Sequence, residues 1–91
     1  MIDYIDMNHY IDESGTHFYH DGNNQLHRLD GPAIEAIDGY KAYWVENKLH
    51  RLDGPAIEYG DGDMDWYIDD EEIHCKDNEE FLRIVKMKSL L

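Results

Sequence analysis

Ninety-one residues suffice for one domain with a single core, and a chain of this size buries only about 60–65% of the surface its unfolded form exposes. Twenty-one acidic residues against 8 basic ones give a formal net charge of −13, which opposes attraction to nucleic-acid phosphates or anionic membranes, so partners should be basic or neutral. A lone cysteine, Cys75, excludes an internal disulfide framework, and the acidic start MIDYIDMNHY lacks both the basic region of a signal peptide and an apolar run of the roughly 18 residues that span a bilayer; a soluble, cytoplasmic protein is expected.

Along the chain, residues 10–77 read as hairpin repeats and 78–91 as a C-terminal capping helix, within one domain covering 1–91. The decapeptide LHRLDGPAIE occurs at Leu26 to Glu35 and again at Leu49 to Glu58, a step of 23 residues. The segments HFYHDGNNQLHRLDGPAIE, AYWVENKLHRLDGPAIE and DWYIDDEEIHCKDNEEF share an aromatic pair, an acidic turn and an aliphatic-His step, so three copies are present. Ile11, Ile34 and Ile57 keep the same step. The turn segments ESG, IDGY and GDGD separate short runs rich in Ile, Tyr, Trp and Val, which favours strands. In Ala42 to Glu46, Tyr43 and Val45 point to one face and Ala42, Trp44 and Glu46 to the other, and both faces carry apolar weight. The expected fold is mainly β (α+β), an antiparallel meander of hairpins with a 23-residue period.

The third copy replaces RLDGPAIE by CKDNEEFL, and a helix pattern begins. Asp77 can cap it, with Glu80 three residues later in an approximate capping box. Phe81, Ile84, Val85 and Leu91 lie near one helical face, while Leu82, Met87 and Leu90 widen the apolar surface. This helix should close the array, and Phe81, Ile84, Val85 and Leu91 are the candidate surface for a homodimer, since a short array leaves sheet edges open.

His27, Arg28 and Asp30, repeated as His50, Arg51 and Asp53, look at first like a doubled active site. A His-Asp pair needs a nucleophile, yet Ser14 and Ser89 stand in no recognisable catalytic motif, and one active site is seldom built twice at a fixed period. His74 and Cys75 are adjacent on an extended segment and point to opposite faces. No catalytic residue and no cofactor is expected. The repeated His, Arg and Asp, with Gly31-Pro32 and Gly54-Pro55, instead form a bend: Arg pairs with Asp, His hydrogen-bonds, glycine permits a special backbone angle and proline removes a ladder donor.

The pattern W-Y-x-x-x-x-x-(L/I)-H-R-x-D-G-P-A resembles the MORN-like hairpin repeats of small proteins from tailed bacteriophages and other large viruses. The resemblance covers roughly residues 10 to 77 and rests on Tyr43-Trp44, Trp66-Tyr67, Leu26-His27-Arg28, Leu49-His50-Arg51 and the two Asp-Gly-Pro-Ala elements. Ordinary MORN repeats carry a His-Gly pair and more glycine, so their lipid-associated roles do not transfer. The resemblance implies a meander of hairpins and a phage accessory protein that binds and disables a host or defence protein, in the host cytoplasm.

The acids are unevenly placed. Glu58 to Glu72 holds eight acidic residues and no Lys or Arg, whereas Arg83, Lys86 and Lys88 sit on the helix. Asp61, Asp63, Asp65, Asp69, Asp70, Glu71 and Glu72, interleaved with Trp66 and Tyr67, form the candidate partner-binding surface for a basic cleft, with the aromatics as anchors. Three other readings compete: a DNA mimic in a nucleic-acid-binding groove, a structural component of an oligomer, and a calcium-binding module. The last arises because Asp61, Asp63, Asp65, Tyr67, Asp69 and Glu72 occupy ligand positions of an EF-hand-like loop; however, Trp66 stands where that loop needs glycine. His17 and His20, three apart on a strand, point to opposite faces, and no metal site is expected.

Overall fold

The computed structural model describes residues 3–6, as backbone, and residues 8–89. The chain runs through β1 (Asp3–Asp6), β2 (His9–Ile11), β3 (His17–Tyr19), β4 (Ile34–Glu35), β5 (Lys41–Ala42), β6 (Trp44–Val45), β7 (Lys48–Leu49), β8 (Ile57–Glu58), β9 (Met64–Ile68), β10 (Glu71–Ile73) and one helix, α1 (Asn78–Lys88). Every described strand pair is antiparallel, and an eight-stranded sheet has the order β1-β2-β3-β4-β5-β8-β9-β10. The β6–β7 ribbon is looped out between β5 and β8. The fold is thus mainly antiparallel β with a single C-terminal helix. Among the described residues, no helix is long and apolar enough to cross a membrane.

Two families of turn build the meander. The wide turns Asp12–Thr16, Ala36–Tyr40 and Tyr59–Asp63 each close with a backbone hydrogen bond from the first residue's N–H to the fifth residue's carbonyl, at 3.0, 2.9 and 2.8 Å. Their fourth residues, Gly15, Gly39 and Gly62, have φ of +87°, +99° and +96°, a region that glycine enters without steric cost. The tight turns Glu46-Asn47 and Asp69-Asp70 hold φ between +48° and +70° at both central residues, the mark of a type I′ hairpin. The first unit departs from this pattern: its turn spans Asp21–Gln25 and is one residue longer. Consequently the step is 24 residues upstream of that turn and 23 beyond it. Tyr10, not Ile11, is the counterpart of Ile34 and Ile57, each lying two residues before its wide turn and pairing with Phe18, Ala42 and Asp65 respectively.

Aspartates pin the first two loops. Asp12 Oδ1 accepts hydrogen bonds from the Ser14 hydroxyl (2.7 Å) and from the N–H groups of Ser14 and Thr16 (both 3.0 Å), while Asp21 Oδ1 accepts from the N–H groups of Asn23 (2.9 Å) and Gln25 (3.0 Å). The Ser14 hydroxyl, then the Thr16 amide, hold the Asp12 carboxyl below its ordinary value of 3.8; the Gln25 amide does most for Asp21. A depressed folded-state pKa stabilises the fold above the unfolded value and loses that contribution as pH falls through the folded one. Carboxyl-detected NMR titration should therefore give both aspartates midpoints below 3.8. Thermal stability should drop as pH falls below about 4, less steeply in an Asp12→Ala/Asp21→Ala variant. Wild-type midpoints at or above 3.8 would remove these carboxylates from the acid response.

The core is small and built largely from alanine. Ala33, Ala42 and Ala56 are fully buried, joined by Ile57, Trp66 and Phe81. Alanine lets neighbouring segments approach closely: Ala33 N–H donates to the Ala42 carbonyl at 2.9 Å, and Tyr43 N–H to the Ala56 carbonyl at 2.7 Å. α1 covers one end of the sheet. Asp77, in extended backbone, accepts from Glu80 N–H at 2.9 Å, and Glu80 Oε1 accepts from Lys76 N–H at 3.1 Å, one residue before the usual capping-box target. Glu79 and Glu80 in the first turn and Lys86 and Lys88 in the last complement the helix dipole.

Docking of α1 corrects the proposed oligomer surface. Phe81 is fully buried, 6.3 Å from Trp66 between ring centroids, and Ile84 and Val85 are half-buried; these three do not form a free apolar face. Leu91, the fourth residue of that set, lies outside the described residues. The exposed apolar side chains of α1 are Leu82 and Met87. Periodicity identifies an apolar stripe but not which part of a broad one meets the sheet.

Candidate interaction surface

The duplicated decapeptide is a joint between consecutive hairpins. Glu46 N–H donates to His27 Nδ1 at 3.0 Å, and one unit later Asp69 N–H donates to His50 Nδ1 at 3.1 Å. The second turn residue completes each joint. Asn47 N–H donates to the Leu26 carbonyl (2.9 Å) while its Oδ1 accepts from Leu26 N–H (3.3 Å); Asp70 does the same with Leu49, at 2.8 and 3.0 Å. Each histidine thus offers a lone pair to the turn 19 residues ahead, a structural task that leaves Nδ1 occupied by the backbone.

The arginines hold the bends. Arg28 lies over the Tyr19 ring, 3.9 Å from its centroid, and donates to Asp30 (3.0 Å), the Pro32 carbonyl (3.1 Å) and Glu35 (2.8 Å). Arg51 repeats the clamp on Tyr43 at 4.0 Å, with Asp53 (2.9 Å), the Pro55 carbonyl (3.0 Å) and Glu58 (3.4 Å). Contrary to the expectation of a special backbone angle, neither Gly31 nor Gly54 has a positive φ; the glycines serve by making room for the guanidinium. A Cβ on Gly31 would stand 3.0 Å from the Arg28 guanidinium carbon, and one on Gly54 only 2.7 Å from that of Arg51. His27, Arg28, Asp30, Gly31 and Pro32, with their copies, therefore all serve the fold.

The acidic segment forms the β8–β9 loop and the β9–β10 hairpin, and strand alternation splits its residues. Trp66 is 8% exposed and packs toward α1, its Nε1–H donating to Asn78 Oδ1 at 3.0 Å. It belongs to the core and is unavailable as an anchor. Asp65 and Tyr67 point to the opposite face. Tyr67 pairs with Glu72 across β10, and the Tyr59 hydroxyl donates to Asp65 Oδ2 at 2.8 Å. That bond to Asp65 pushes the Tyr59 phenol up to about 12; for Tyr67 the cause is first desolvation, then the charges of Glu72, Asp65 and Asp70. Tyr59, Asp65, Tyr67 and Glu72 thus make one acidic-aromatic face. The sequence signal for Tyr59 is a departure from the repeat: it stands where the preceding unit has Ala36.

Several acids also have fold tasks. Asp61 Oδ1 accepts from Asp63 N–H at 3.0 Å, the Asp69 N–H holds His50 Nδ1, and Asp70 holds Leu49. Among the described residues, the carboxylates of Asp63, Glu71 and Glu72 make no hydrogen bond. Glu71 pairs with Ile68, on the Trp66 side of the sheet edge. A calcium loop would have to wrap one ion, yet residues 61–72 form a hairpin whose β9 separates Asp63 from Asp69, and no group of three or more His, Cys, Asp or Glu among the described residues is arranged to hold a metal.

Compared with protein-family models, curated proteins and solved structures, the chain matches none.

Proposed function

We propose that this chain is a hairpin-repeat accessory protein of the phage type that acts by protein–protein contact, inhibiting a host or anti-phage defence protein through a basic surface on that partner. The observation that carries the contact surface is the face of Tyr59, Asp65, Tyr67 and Glu72, where two half-exposed aromatic rings stand among carboxylates. Long-range attraction from a chain of charge −13 would speed encounter with a basic cleft, and the tyrosines would supply the desolvated contact that slows release. The viral assignment and the inhibitory outcome rest on the resemblance of the repeat motif.

Affinity capture from bacterial lysate, followed by mass spectrometry, tests the surface with substitutions that spare the joints. Tyr67→Ala and an Asp63→Asn/Glu72→Gln pair should each weaken a captured partner's binding by about tenfold or more. A partner retained at full affinity by both variants would refute the assignment. Salt sensitivity together with competition by duplex DNA would favour the DNA-mimic reading over a contact specific to the partner's protein surface.

A further inference from the structure

One residue of the repeated decapeptide has no fold task. Leu29 is 80% exposed and Leu52, its copy, 50% exposed, although every neighbour in the bend is buried, clamped or hydrogen-bonded. Both line one groove of about 460 Å³, together with Tyr43, Val45, Asp30, Asp53 and the two clamp arginines, Arg28 and Arg51. The two aspartates are 88% and 86% exposed. Each clamp bonds its guanidinium to two carboxylates and leaves the arginine about three-quarters buried, so the most exposed charges along the groove are those of Asp30 and Asp53.

The complementary surface lies on the same chain. Three of its 8 basic residues, Arg83, Lys86 and Lys88, are on α1, two others being locked in the clamps. The outward face of α1 sets Leu82 (43% exposed) and Met87 (67% exposed) beside Arg83 and Lys86, with Glu79 paired to Arg83 at 3.2 Å. Around the helix Lys86 and Arg83 lie between Leu82 and Met87 within an arc of about 140°, so basic and apolar groups share the outward face of α1.

We propose that the occupant of the Leu29–Leu52 groove is the outward face of α1 from a second copy of this chain. Leu82 and Met87 pack on the two leucines, and Arg83 and Lys86 meet Asp30 and Asp53. A two-fold axis makes the contact twice and closes the assembly as a dimer. The contact uses neither Tyr67 nor Glu72, so it stands or falls separately from the proposed partner surface.

Sedimentation velocity on the full chain tests this with a charge swap. The wild type should be dimeric at high micromolar concentration. Asp30→Lys/Asp53→Lys alone and Arg83→Glu/Lys86→Glu alone should each weaken the dimer by about tenfold or more, and an equimolar mixture of the two variants should recover it, because each groove then faces a helix of opposite charge. Leu29→Asn/Leu52→Asn, which leaves both clamps intact, should give a monomer with unchanged circular dichroism. A wild type that stays monomeric, or a dimer indifferent to the leucine substitutions, would overturn the proposal, as would a mixture of swapped variants that does not associate.

Discussion

Phe81→Ala is expected to cost about 3–5 kcal/mol, the range for removing a buried aromatic ring, and to lower the melting temperature by more than about 12 °C. The reason is how little else the core contains. Three of its six members are alanines, and Phe81 is the largest side chain wholly out of solvent among the described residues. A chain of this length has roughly 5–14 kcal/mol of stability in total, so the loss takes a large share of it. The cavity would open beside Trp66, and its fluorescence should shift to the red as water reaches the indole. Leu82→Ala, one residue away on the outward side of α1, should change the stability of the monomer, measured at low concentration, by less than about 0.5 kcal/mol. Chemical denaturation of the two variants side by side checks the contrast. Equal effects would mean that the helix does not dock as described.

The second large effect should come from the Arg51 clamp. Arg51→Ala removes a guanidinium that is about three-quarters buried and bonded to Asp53, the Pro55 carbonyl and Glu58 while resting on Tyr43. Charge-assisted hydrogen bonds of this kind carry about 1.5–3 kcal/mol each when desolvated, and less at the exposed Asp53; a net loss of about 2–4 kcal/mol is expected. Arg51→Lys should recover little, because an ammonium cannot reproduce a planar fork stacked on an aromatic ring. Asp53→Asn should cost under about 1 kcal/mol, its carboxylate being 86% exposed. Gly54→Ala offers the sharpest comparison: its Cβ would displace the guanidinium from its seat at 2.7 Å, whereas Gly31→Ala meets Arg28 at 3.0 Å and should be milder. Urea unfolding of these variants measures the order. If Gly54→Ala proved no worse than Gly31→Ala, the glycine would not be serving the arginine.

The two effects differ in how much of them could be read beforehand. The repeated Arg, Asp, Gly and Pro lie within a few residues of one another, and so the bend and its pairing are local chemistry, visible in the motif. The histidine's partner is not local. His27 is bonded to Glu46 and His50 to Asp69, each 19 residues away in the next hairpin, and nothing in the decapeptide names that partner. The single extra residue in the first turn likewise escaped a strict 23-residue alignment, because an insertion in a loop shifts upstream equivalences without disturbing the copied segment.

Trp66 and Tyr67 mark the boundary most clearly. Adjacent and both aromatic, they look equally suited as anchors in the sequence, yet a strand sends neighbours to opposite faces and only one face of β9 receives α1. By itself, the sequence determined what depends on short-range stereochemistry: strand against helix, the turn segments, the Asp77 cap and the arginine bend. Tertiary structure alone decided which face of each element is buried, since both faces of the strands and a broad arc of the helix are apolar enough to serve. That choice placed Trp66 and Phe81 inside, and left Tyr67, Leu29 and Leu52 at the surface.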